Sequence, residues 1–128
     1  MAVIHVKRMP EFYLGDDVVL LAADREGIEP FESALADTTK KEKASSHLTA
    51  SGTSHEFHIG GSEARVELIK GHVIWRLSDE KACEILDRLA GLKASKVPSH
   101  HYVDINSPAE TLILSVEEYL DAFWLNQD

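Results

Sequence analysis

The sequence predicts an α+β fold, a mostly antiparallel sheet with about three helices packed on it, in the order ββαβββαββα. Three observations lead there. The middle third, HEFHIGGSEARVELIKGHVIWRL, alternates apolar and polar residues around two glycine turn signals. Stretches beginning near 28, 79 and 116 carry apolar residues at helical spacing. At 128 residues, with no internal repeat in the sequence, residues 1–128 read as a single domain with one core.

Each element has a local reason. Ile4 and Val6 alternate with His5 and Lys7, the period-2 pattern of a half-buried strand. The turn signal GDD then leads into VVLLAAD (18–24), a continuous apolar run that fits a central strand buried on both faces. Ile28, Phe31, Ala34, Leu35 and Thr38 form one stripe with Pro30 near its start, predicting a helix over 28–41. Residues 40–54 are rich in lysine and serine, with Leu48 as the one large apolar group, and read as a mobile surface loop.

The middle third divides into strands near 55–59, 64–69 and 72–77, joined by a four-residue loop and a two-residue turn. One face then carries Phe57, Ile59, Ala64, Val66, Leu68, Val73, Trp75 and Leu77, and is core. The other carries Glu56, His58, Arg65, Glu67, Ile69, His72, Ile74 and Arg76, and is largely solvated. Ser78 is placed to cap a second helix, with Asp79 and Glu80 in its first turn and the stripe Ala82, Ile85, Leu86, Leu89, Leu92. Pro98 bars continuation and opens the strand HHYVDI; Ser107-Pro108 turns the chain into TLILS (111–115). Ser115 and Glu118 have capping-box spacing, which predicts a third helix from 116 displaying Val116, Tyr119, Leu120, Phe123 and Trp124. The runner-up architecture is two small sheets sharing the helices.

Charge and composition narrow the function classes. Thirteen Lys and Arg against twenty-two Asp and Glu give a net charge of −9, which argues against nucleic acid as a partner. Residues 104–128 hold Asp104, Glu110, Glu117, Glu118, Asp121 and Asp128 with no Lys or Arg, so the C-terminal part is the acidic pole. One cysteine, Cys83, allows no intramolecular disulfide, and no long apolar run suggests a membrane segment; a cytoplasmic location is the expectation.

Candidate chemistry centres on PSHHYVDI. In an extended strand His100, Tyr102 and Asp104 face one way and His101, Val103 and Ile105 the other, so the two histidines cannot share a metal. His100 and Asp104 lie about 13 Å apart along an ideal strand, too far for two ligands of one ion. His55 and His58, three apart on a strand, point to opposite faces, unlike the i, i+4 histidines of a zinc helix. Cys83 has acidic neighbours, which do not activate a thiol, and reads as a packed or half-packed small residue. Neither a G-x-S-x-G elbow nor a phosphate-binding glycine loop is present, so no catalytic residue, metal site or cofactor is expected.

What remains is surface recognition. The expected function is a small non-catalytic protein-binding module, of immunity or toxin-antagonist type, that engages a basic protein through His100, Tyr102, Asp104, Glu117, Glu118 and Asp121. Two alternatives stand beside it. One is a small enzyme or metal- or ligand-binding protein using the His100, Tyr102 and Asp104 stripe, the other a homodimer joined through the middle strands or the C-terminal helix.

Overall fold

The computed structural model describes residues 3–13, 15–40, 45–50 and 52–118. The strands are β1 (Ile4–Tyr13), β2 (Asp16–Ala23), β3 (Ser45–Ala50), β4 (Thr53–Ile59), β5 (Arg65–Ile69), β6 (His72–Leu77), β7 (Ser99–Asp104) and β8 (Thr111–Val116). The helices are α1 (Arg25–Lys40) and α2 (Asp79–Ala94). They form an α+β fold with two four-stranded sheets, β1-β2-β8-β7 (sheet A) and β3-β4-β6-β5 (sheet B). The single, mostly antiparallel sheet is thereby corrected to the two-sheet alternative.

Each sheet is two antiparallel hairpins joined by a parallel pair at its centre: β2 with β8 in sheet A, β4 with β6 in sheet B. The chain is therefore two successive ββαββ units, each giving its first hairpin to one sheet and its second to the other. This repeat is a feature of the topology. Local details follow it. Both helices span sixteen residues. Asp24 Oδ1 accepts from Gly27 N at 2.7 Å, as Ser78 Oγ does from Lys81 N at 3.1 Å. Each parallel pair is extended by one backbone bond of 2.8 Å, from Glu117 N to Ala23 O and from Gly60 N to Leu77 O.

One continuous core receives residues from both sheets and both helices. Ile28, Phe31, Leu35 and Thr38 of α1 are buried, as are Ala82, Ile85, Leu89 and Leu92 of α2, matching the two predicted stripes. Phe31 meets Phe57 and Trp75 edge-on, with ring centroids 5.1 and 5.2 Å away. The middle strands divide into faces as the pleat predicts: Phe57, Val66, Val73, Trp75 and Leu77 are buried, and Arg65 lies opposite Arg76. β2 is buried on both faces. Val19, Leu21 and Ala23 join the main core, while Val18, Leu20 and Ala22 join Ile113 in a second apolar cluster on the outer face of sheet A.

The differences have physical reasons. The predicted loop 40–54 contains β3, a polar edge strand whose ladder runs along one side and whose one large apolar residue is Leu48. β4 and β5 do not form a hairpin; β6 lies between them, parallel to β4, because the Gly60-Gly61 connection crosses over. α1 begins at Arg25, before the predicted 28, because Asp24 supplies the side-chain acceptor for its first turn. Ser115 and Val116 belong to β8, so no helix starts at 116, and two helices are found among the described residues. Tyr119, Leu120, Asp121, Phe123, Trp124 and Asp128 lie outside the described residues. Cys83 is exposed on α2, not packed.

Gly27 shows how tightly the first unit is threaded. A Cβ there would stand 2.1 Å from the Val3 carbonyl oxygen and 2.9 Å from Ile4, since β1 passes directly under the first turn of α1. Gly91 on α2 meets nothing closer than His101 Nε2 at 3.6 Å. Gly27→Ala should therefore destabilise the fold by about 3 kcal/mol, the upper part of the overpacking range. Gly91→Ala should leave stability unchanged or raise it by up to ~1 kcal/mol through helix propensity. Urea unfolding midpoints of the two variants check this; equal effects would mean that β1 does not run beneath α1.

Candidate functional site

The strand HHYVDI is β7, at the edge of sheet A and antiparallel to β8. Val103 and Ile105 are buried in the main core, and His101 approaches α2 at Gly91. The pleat thus turns His100, Tyr102 and Asp104 to the outer face, beside the apolar cluster centred on β2. The two adjacent histidines are separated by the sheet, as the alternation requires.

At this outer corner the structure assembles a group that sequence spacing does not reveal. His100 lies opposite Ser115 across the β7–β8 ladder. Glu118, just past the end of β8, comes back over the pair. Its Oε1 accepts from Ser115 Oγ at 2.6 Å and lies 3.1 Å from His100 Nδ1. On the other side of the same imidazole, Nε2 lies 3.1 Å from the Tyr102 hydroxyl. These contacts assign neutral His100 its tautomer: Nδ1–H donates to the carboxylate and Nε2 accepts from the phenol. The spacing Ser115-Glu118 thus describes a turn after a strand, in which the serine donates, and not a helix cap.

The result is a phenol held at two points. The Tyr102 ring meets the His100 ring edge-on at 5.3 Å, and its hydroxyl is fixed by the same imidazole. Tyr102 nonetheless remains 43% exposed, one of three exposed large apolar side chains among the described residues. Asp104, further along the outer stripe, is exposed. Glu117 serves the scaffold instead. With φ of 59° it adopts the left-handed turn conformation, and its Oε2 accepts from the backbone N of Arg25 at 2.7 Å. The Arg25 guanidinium in turn donates to the Ser95 carbonyl, joining the start of α1 to the end of α2. Asp121 lies outside the described residues.

A second histidine group occupies the outer face of sheet B. Glu56 on β4 lies between His47 on β3 and His72 on β6, with Nε2 to carboxylate distances of 3.3 and 3.7 Å, and it also contacts His58 Nε2. The His58 hydrogen bond is the main cause holding the Glu56 carboxyl below its usual range, against an opposing desolvation effect. His47 is absent from the sequence-based candidates because β3 is not predicted there. Among the described residues no group of three or more metal-ligating side chains is placed to hold a metal ion.

Three surface hollows among the described residues are lined by side chains other than those of the Tyr102 corner. One, of about 350 Å³, lies at the start of α2 beside Gly61 and Ser62. One of about 460 Å³ lies between β1 and the β5–β6 hairpin. A third, of about 310 Å³, is acidic, with Asp16, Asp17 and Glu110 on its wall. Among the described residues, no helix is long and apolar enough to cross a membrane. No known family model matches this chain, and no curated protein or solved structure matches it.

His55 is the one buried imidazole among the described residues. It lies on the inner side of β4, where Trp75 Nε1–H donates to its Nδ1 at 3.2 Å and Phe31 approaches edge-on at 6.0 Å. Its Nε2, which carries the proton in the neutral form, has no partner. Burial first, and then repulsion from His72, push its pKa down to about 4. The unfolded chain protonates this side chain near pH 6.5, so both states are neutral above that value and stability is complete there. As pH falls from 6.5 to 4 the unfolded chain takes a proton that the fold refuses, and about 3 kcal/mol is lost. His55→Phe should flatten the stability difference between these two pH values relative to the parent chain, as read by urea unfolding; an identical acid loss in both proteins would refute the assignment.

Proposed function

We propose that this chain is a small non-catalytic binding protein that docks a basic protein on the outer stripe of β7. Tyr102 is the anchor, and Asp104 with the surrounding acidic surface guides the partner in. The observation that carries this reading is the restrained, exposed phenol. A tyrosine whose ring and hydroxyl are already held loses little freedom on binding, and tyrosine is a frequent centre of binding energy at interfaces. The net charge of −9 favours fast capture of a cationic surface. An immunity-type or toxin-antagonist protein has this physical profile, and a location in the same cytoplasm as its target would follow.

A second reading rests on the same side chains. An imidazole lying between a carboxylate and a hydroxyl is the arrangement by which a general base is oriented toward a nucleophile. The hydroxyl here is a phenol on a sheet face, and the three hollows are lined by other residues, so a substrate would have little to hold it.

Paired affinity captures from the host lysate separate the readings. Immobilised parent protein should retain a basic protein in a salt-sensitive manner. Tyr102→Ala and Asp104→Asn should each reduce the retained amount about tenfold or more, as expected at a binding hot spot. Arg65→Ala, on the opposite sheet, should retain it, and Tyr102→Phe, which keeps the ring but loses the hydroxyl's hold on His100, should reduce it less than Tyr102→Ala does. Equal retention by the parent and Tyr102→Ala overturns the proposal, and loss of a detected activity in Tyr102→Phe without loss of binding favours the catalytic reading.

A further inference from the structure

We infer that the outer face of sheet A is the docking surface for the chain's own residues 119–128, with Leu120, Phe123 and Trp124 laid against Leu20 and Ile113. The burial of that face carries the inference, which is independent of the docking reading of Tyr102 on the neighbouring edge strand. Val18, Leu20 and Ala22 of β2 are fully buried and Ile113 of β8 is 3% exposed, in an apolar cluster separate from the main core. Among the described residues, Met9 of β1 is the one further apolar side chain packed against it. The buried apolar side chains of both helices belong to the main core, on the other side of the sheet. The outer face of sheet B gives the contrast: Ile74, on its central strand β6, remains partly exposed. An antiparallel edge with one solvated face leaves such side chains partly in water, so complete burial of Leu20 requires a covering layer. His5 reports the same layer. It lies opposite Ala22 on the outer face, and burial, against the pull of Asp24, holds its pKa below the usual value.

The end of β8 delivers the chain to this face. Past Val116 the backbone turns at Glu117, and Glu118 reaches the outward-facing His100 and Ser115. From there the cluster extends about 13 Å along β2, from Ala22 to Val18, and about 10 Å across from β8 to β1. Residues 119–128 would span about 15 Å as a helix, enough to run the length of the cluster. In the sequence Tyr119, Leu120, Phe123 and Trp124 have helical spacing, which sets them on one side with Asp121 and Asp128 away from it. The other stretches outside the described residues do not fit. Residues 41–44 read KEKA and hold no large apolar group, and Leu14 belongs to the β1–β2 connection, at the opposite end of β2 from Ala22. Residues 119–128 therefore have the starting point, the length and the apolar stripe that the face requires.

Isotope-filtered NOE spectroscopy of the full chain, on labelled protein and on an equal mixture of labelled and unlabelled protein, tests this. The Leu20 and Ile113 methyls should show cross-peaks to the Phe123 or Trp124 ring within one molecule. Trp124→Ala in the full chain should lower the folding equilibrium constant about tenfold or more, as when an aromatic ring is lost from a packed surface, and should move those methyl resonances. If that variant does not fold, the cross-peaks of the parent chain still decide. Absence of the cross-peaks, cross-peaks that run only between molecules, or an unchanged urea midpoint in Trp124→Ala would each overturn the inference, and the second result would make the occupant another copy of the chain.

Discussion

The constraint on which the structure depends is the parallel pairing at the centre of each sheet. Parallel neighbours cannot be joined by a tight turn and need a crossover connection. Here β2 finds its parallel partner in β8, and β4 finds its partner in β6, so each central pair draws one strand from each ββαββ unit. α1 carries the chain from sheet A to sheet B, and α2 carries it back. Neither unit can complete a sheet alone. The single core, in which Leu21 and Leu114 of sheet A share a cluster with Phe57 and Trp75 of sheet B, is the energetic result of that exchange.

With both inner faces used for the core, what the sheets present to solvent comes from their outer faces. The two outer faces differ in kind. Sheet A has a buried apolar centre on β2 and Ile113, with the Ser115–Glu118–His100–Tyr102 chain at its edge. Sheet B has Glu56 among three imidazoles, with Arg76 paired to Glu67 further across. On the helices, Lys93 is tied to Glu32 and Lys81 to Glu84. These pairs link α2 to α1 and to its own next turn and, being partly exposed, contribute only modestly to stability.

Much of this was legible in the sequence, and the rest was not for identifiable reasons. Period-2 alternation revealed both faces of β5 and β6, and helical spacing revealed the buried stripes of α1 and α2, because each pattern is set by an apolar surface that must be covered. The α+β class followed. Strand order did not, because a Gly-Gly link serves a hairpin and a crossover alike, and the side-chain alternation of β4 is the same beside β5 or beside β6. β3 was hidden because an edge strand need not carry much apolar surface, and SSHLTA has one leucine. Of the candidate site, the one-sided stripe His100, Tyr102, Asp104 could be read from the pleat alone. The clamp could not: Ser115 and Glu118 were visible as a spaced pair, but the same spacing serves a helix cap and a turn after a strand, and only the extension of β8 through Val116 decides between them.

The duplicated topology lets the two units be compared position by position. Equivalent positions in a repeat share backbone geometry, so the scaffold offers the same outer corner twice, once on β7 and β8 and once on β3 and β4. Aligning the central parallel pairs at Ala23–Val116 and Leu77–Ile59 sets Tyr102 in the place of His47, Ser115 in that of His58 and Ile113 in that of Glu56. At one corner the central strand contributes an apolar side chain, and the polar groups are pushed to the edge, where they restrain a phenol. At the other it contributes a carboxylate, and the imidazoles gather on that instead. The backbone requires neither arrangement, since it folds with both. A corner that holds an aromatic ring in place while leaving it open to solvent is therefore a property of its side chains alone, which is what the proposed docking of a partner on Tyr102 requires.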